Sequence, residues 1–347
     1  MSYPQGPYQG QPPAQQFPSY PQQPPQQQWD ARAWAHPHPE PRSYPLMLRT
    51  WDYKWWKPLL GILLAVVIFF IVQTVLTVIL VVGAIVDGGP GTVGERVANS
   101  LDTVTPWSML YINLGLASLT VVAMLVMRVV HRLRPRWLSS VRPGIRWKFF
   151  FACLGLSLVA LIASLIVGAL LPHDANELSG DAAFPTGQLL VTAIVILLTT
   201  PLQALGEEYG FRGYLMQAFG SLSGSRVVAL LVTSLLFALA HGVQNFPLFF
   251  DRFAFGLIAG LIVILVGGLE AGIALHITNN LLAFGVAIAL NQLDSTLNVS
   301  EASWWQLPLT ITQNGVFLVL VLLVARKMGL RNTTSPPAAE EAAPSVS

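Results

Sequence analysis

Eight apolar runs, each near the length of one bilayer crossing, occupy most of the chain between residues 58 and 326. They fall at about 58–86, 107–130, 148–171, 188–213, 227–248, 252–268, 271–290 and 308–326. A helix needs roughly 20 predominantly apolar residues to cross the hydrocarbon layer, and in lipid the backbone must satisfy its own hydrogen bonds. The runs predict an all-α fold, a polytopic transmembrane helical bundle of about eight spans with disordered termini. The fourth run is the least regular, because its apolar stretch ends in charged residues while the helical pattern continues. The sixth and seventh are short and separated only by Gly267, Gly268, Leu269 and Glu270, so seven spans with one re-entrant pair is the rival count. Charged residues make up only 10% of the chain, against about 25% in soluble proteins. That is too little charge to cover a water-soluble surface at this length.

Outside the runs the composition changes. Residues 1–47 are dominated by Pro, Gln, Tyr and Ser, with too little aliphatic content to offset ordering entropy, and are expected to form a disordered cytoplasmic tail. Residues 332–347 look equally tail-like, which leaves 48–331 as the transmembrane domain. No cleavable signal peptide is evident, since the first apolar run begins near Pro58, too far in and too long for a signal segment. The net charge of +2 gives no reason to expect nucleic acid as a partner; the lipid bilayer is the expected one. A lone cysteine, Cys153, excludes an intrachain disulfide and a cysteine-built metal site.

Basic residues set the orientation. Arg32, Arg42, Arg49, Lys54 and Lys57 precede the first run, Arg132, Arg134, Arg136, Arg142, Arg146 and Lys148 lie between the second and third, and Arg326, Lys327 and Arg331 follow the last. The alternate loops are acidic: Asp174, Glu177 and Asp181 in one, Asp294 and Glu301 in another, and Asp87, Glu95 and Asp102 against a single Arg96 in the first. Both termini are therefore expected in the cytoplasm.

Where charge is this scarce, each ionisable residue at membrane depth is a functional hypothesis. Glu207, Glu208, Arg212, His241 and His276 qualify, with Asn245, Asn279 and Asn280 as nearby amides. Glu208 and Arg212 are i,i+4 with the acid first, the better order for an ion pair. Glu207 projects about 100° away and lacks that partner. His241 follows Arg226 by about 22 Å of helix rise, and His276 and Asn280 are i,i+4 on one face. Each has an ordinary structural reading: an interfacial helix end, a satisfied core histidine, an interhelical hydrogen bond. Taken together they converge. Glu207 lies about 13 residues before a hairpin tip near Gly220–Ser225 and His241 about 16 after it, while His276 sits six past the Glu270 turn.

The segments EEYGFRG, FALAH and HITNN resemble, in order, the Glu-Glu-x-x-x-Arg, Phe-x-x-x-His and His-x-x-x-Asn motifs of the CPBP (CAAX protease and bacteriocin-processing, or Abi) family. The resemblance covers about residues 188–290 and implies an intramembrane, CAAX-protease-like endopeptidase acting on a peptide or protein substrate, membrane-associated or not. It implies Glu207 as general base assisted by His241, His276 and Asn280 as binders of water or oxyanion, and Glu208 with Arg212 as braces. It also implies a multi-pass protein of a bacterial cell membrane. A divalent metal such as zinc on Glu207, His241 and His276, and a metal-free glutamate mechanism, would use the same residues; both stay open here. Two non-proteolytic alternatives accompany this reading. One is a membrane adaptor or bacteriocin-immunity protein, and the other is a transporter using the cluster as an ion site.

Overall fold

Seven helices among the described residues are long and apolar enough to cross a membrane, and an eighth apolar helix is shorter. The structure, a computed structural model, describes residues 37–172, 187–242, 244–290, 292–293, 299 and 301–335. Residues 1–36 and 336–347, and the acidic loop residues Asp174, Glu177, Asp181 and Asp294, lie outside the described residues, as does Arg32.

The helices are α1 (Trp56–Val86), a short α2 (Val93–Ala98), α3 (Pro106–Val129), α4 (Trp147–Leu170) and α5 (Gly187–Glu207). A π-helical segment, Glu208–Leu215, continues α5 directly into α6 (Met216–Ser223). Then come α7 (Arg226–Ala240), α8 (Phe246–Val266), α9 (Glu270–Ala289) and α10 (Gln306–Lys327). The expected count of about eight spans thus resolves into seven long helices plus α7, which has 15 residues. The fifth apolar run, expected to continue to 248, ends at His241. Gly242 has positive φ there, and the Asn245 side chain accepts from Leu248 N to cap α8, with Pro247 in its first turn.

The bundle is organised around α5, which packs against α3 and α9. Helix α4 packs on α9 and α10, and α8 on α7 and α10. Helix α1 touches chiefly α3, and only 6% of its most apolar window is buried within the protein, against 44% for α8. Its apolar surface is the kind that lipid covers. Gly256 and Gly260 turn inward: a Cβ on Gly256 would lie 3.1 Å from Ser234 Cα, so this small-residue pair brings α8 close to α7 within the chain.

At the end of the bundle carrying the basic loops, the chain is tied together by backbone contacts. Leu269 N donates to Ser139 O and Val141 N to Gly267 O, and Glu270 accepts two guanidinium bonds from Arg146 at 2.8 and 2.6 Å. Glu270 marks a turn, as expected, and a braced one. Residues 37–47 and 332–335, grouped with the tails on composition, pack onto this end. Tyr44 and Met47 are fully buried, the Tyr44 hydroxyl donates to Leu138 O, and Arg42 and Thr334 exchange hydrogen bonds at 2.9 Å. A few large apolar side chains suffice to order them in a segment whose average composition is tail-like.

Candidate functional site

The π-helical segment begins at the second of the two adjacent glutamates. Such segments, with i→i+5 hydrogen bonds, are uncommon and cluster at functional sites. The anticipated ion pair forms: Arg212 Nη1 lies 3.0 Å from Glu208 Oε1, and both side chains are essentially inaccessible. The guanidinium sits 3.9 Å over the ring of Phe237 and 5.3 Å from that of Phe255. Aromatic faces therefore hold a charge that could not otherwise be buried at this depth. Room for the carboxylate comes from α9, where a Cβ on Gly272 would lie 2.7 Å from Glu208 Oε2.

His276 stands between the two glutamates. Its Nδ1 is 2.9 Å from Glu208 Oε1 and its Nε2 is 3.3 Å from Glu207 Oε2. A carboxylate only accepts, so Nδ1 carries a hydrogen and donates to Glu208. Phe255 and Phe237 pack edge-on to the imidazole, at 5.0 and 6.0 Å between centroids. Glu207 is buried, and its Oε2 makes no directed hydrogen bond. One turn earlier on α5, Gln203 Oε1 accepts from Asn280 Nδ2 at 2.9 Å.

His241 is placed differently from expectation. It caps the end of α7 rather than sitting within a longer span, and its side chain is exposed. Its Nδ1 is 2.8 Å from the Phe237 carbonyl, which only accepts, so Nδ1 donates and Nε2 is left for other work. Even so, Glu207, His241, His276 and Asn280 all line one cavity of about 600 Å³. Its remaining wall is mostly apolar and includes Ile62 and Phe69 of α1 and Leu116 and Leu119 of α3. Asn279 also lines it, while Asn245 instead caps α8 and bonds the backbone of Ala302.

Gln203 and Arg252 add to the polar lining and belong to none of the three motifs. A signal for Gln203 exists, since it is a lone amide four residues before Glu207 in an apolar run. Arg252 falls where the fifth and sixth runs meet, a place that reads as a connection.

Glu207, His241 and His276 as zinc ligands are tested by how their donors are used. Both histidines donate Nδ1–H, His276 to Glu208 and His241 to the Phe237 carbonyl, which leaves each Nε2 to bind a metal, as in most metal-bound imidazoles. Among the described residues no group of three or more His, Cys, Asp or Glu is gathered as a metal site. The donor atoms suit a metal, but the three side chains are not gathered around one point in this arrangement, and no step below is routed through a metal.

Residues 188–282 match the family model described as Rce1-like, type II CAAX prenyl endopeptidase. The matched stretch contains all three motifs, so the resemblance to CAAX proteases is shown over the segment that carries Glu207, His241, His276 and Asn280. No curated protein and no solved structure matches the chain.

Proposed function

We propose that the protein is an intramembrane endopeptidase in which Glu207 activates water for attack on a peptide bond, without a metal. One observation carries this reading: four polar residues from three helices line a single apolar cavity, with the Glu207 carboxylate beside the Nε2 of His276. The carboxylates of Glu207 and Glu208, the guanidinium of Arg212 and a His276 imidazolium sum to zero charge. A proton on His276 Nε2 leaves Glu207 free to act as a base.

Glu207 takes a proton from water while the oxygen attacks the carbonyl carbon. The C=O electron pair moves onto oxygen, where His276 Nε2–H and an Asn280 amide N–H donate to it. Donors fixed in place in a low-dielectric site stabilise such developing charge strongly. Collapse of the tetrahedral species breaks the C–N bond, and the leaving amine takes the proton from Glu207, relayed by His241 Nε2. Glu208 accepts from Nδ1–H of the imidazolium and fixes its orientation, and Arg212 balances the charge of Glu208. The apolar wall suits a hydrophobic peptide segment delivered from or near the bilayer. The basic-loop bias supports a cytoplasmic location for both termini, and the family resemblance suggests a bacterial cell membrane.

The test compares peptides released in cells by the wild type and by Glu207→Gln, together with turnover of a reporter peptide by both purified proteins. Loss of at least about 10²-fold is expected for a missing general base. Equal turnover by the two proteins would overturn the reading.

A further inference from the structure

Arg252 is the one arginine or lysine among the described residues lining the cavity. It lies in the first two turns of α8, and its side chain is 27% exposed. Its recorded ion pair is with the adjacent Asp251, from Nη1 to Oδ2 at 3.1 Å. Asp251 is shared: its other oxygen accepts from the hydroxyl of Thr310 and from Gln306 Nε2. Arg252 Nε is buried with no hydrogen-bond partner, and so is the Oε1 of Gln244, another lining residue. A guanidinium at membrane depth is costly to bury and is ordinarily paired on all sides. This one is paired on one side and turns into the space that holds Glu207, His241 and His276.

We propose that Arg252 is an anion subsite of this cavity and receives a carboxylate carried by the peptide substrate. The inference rests on the proteolytic reading and adds the charge the substrate must bear. The guanidinium fork matches a carboxylate in shape and hydrogen-bond direction, and the apolar surroundings strengthen the attraction. Asp251 engages only Nη1 of Arg252, and the unpartnered Nε leaves an edge of the fork open to an incoming carboxylate. The carboxylate is either an acidic side chain or a free C-terminus; the two share this chemistry.

The test measures binding by protein carrying Glu207→Gln, which does not turn over, in detergent. The probes are fluorescent peptides of about ten Ala, Val and Leu residues in three forms: a free C-terminal acid, a C-terminal amide, and an amide with one internal Glu. The carboxylate-bearing form that fits is expected to bind at least about tenfold more tightly than the plain amide, the value of one charge-assisted hydrogen bond. Adding Arg252→Gln should erase that preference and leave plain-amide binding unchanged, which also reports an intact cavity. Arg252→Lys, which keeps the charge and loses the fork, should retain part of it. Whichever peptide carries the preference identifies the source. Equal binding of all three peptides when Arg252 is present, or a preference surviving Arg252→Gln, overturns the proposal; a role as a mere brace for Asp251 predicts that outcome. Hydrolysis of the same peptides by wild type but not by Glu207→Gln tests the proteolytic reading separately, so either idea can fail alone.

Discussion

Replacing each of the two adjacent glutamates by glutamine should produce opposite phenotypes. Glu208 and Arg212 are paired at 3.0 Å with almost no exposure, and Nε and Nη2 of Arg212 already lack partners. Removing the Glu208 charge takes away the only carboxylate, among the described residues, in contact with a buried guanidinium, a loss of about 3–5 kcal/mol. The new amide oxygen can still accept from His276 Nδ1–H, so the imidazole stays placed and the folded fraction keeps some activity. Changing Arg212 to Gln as well removes the stranded charge and should recover much of the stability, a coupling that the double-mutant cycle isolates. Glu207→Gln breaks no directed hydrogen bond at Oε2 and gives up only its 3.3 Å approach to His276 Nε2. Neutralising a buried carboxylate should leave the melting temperature equal to or above that of the wild type, as is common where function strains a site. Turnover should fall about 10²- to 10⁴-fold. Melting in detergent and hydrolysis of a reporter peptide are measured for the four proteins. If Glu208→Gln melts with the wild type, or the double variant melts no higher than Glu208→Gln, the buried-pair argument is wrong. If Glu207→Gln turns over normally while folded Glu208→Gln is dead, the roles are reversed.

Gln203→Leu frees the Asn280 amide and should lower kcat/KM about three- to tenfold, the range of one neutral hydrogen bond; unchanged turnover would make that bond simple interhelical packing. His38 and His131, both outside the spans, are buried, and burial lowers each from 6.5 to about 4. The unfolded chain therefore binds protons more readily between those values, and stability present above pH 6.5 is lost as pH falls toward 4. The shift of 6.5 − 4 = 2.5 corresponds to at most about 3 kcal/mol for each. The drop in melting temperature from pH 7.5 to 5 should shrink in the double variant His38→Gln/His131→Gln, and an equal drop would refute the assignment. For topology, cysteine is placed at exposed Arg142 or exposed Asp102 in a Cys153→Ser background. An impermeant reagent should label position 102 in intact cells and position 142 only after lysis; the reverse pattern inverts the orientation.

The fold was legible in the chain because lipid burial asks little of sequence beyond apolar length, and the long helices fall where the apolar runs are. The error at α7 was also readable in hindsight: Gly242, the capping Asn245 and Pro247 are turn and start signals inside what looked like one run. The Glu208–Arg212 pair was accessible because both partners lie on one segment at a fixed spacing. What spacing could not supply is the distance between segments. Nothing in HITNN says which glutamate His276 will meet, and it meets both. Arg252 was obscured for the same reason, since it gains meaning only from what faces it across the cavity, whereas Gln203 was visible as a lone amide in an apolar run.

That limit changes the roles of the adjacent glutamates. Local pairing alone makes Glu208 a brace for its own helix and leaves Glu207 to act. With His276 Nδ1 bound to Glu208 Oε1, the same oxygen that meets Arg212 also fixes the imidazole whose other nitrogen faces Glu207. Glu208 therefore acts on chemistry through His276, as a positioning residue, in addition to neutralising Arg212. An alanine at 208 removes both functions, whereas a glutamine removes the charge and keeps the acceptor. Activity per folded molecule should therefore fall further for Glu208→Ala than for Glu208→Gln, while both lose stability through Arg212. Equal specific activity in the two variants would confine Glu208 to the ion pair and leave the orientation of His276 to the Phe237 and Phe255 rings.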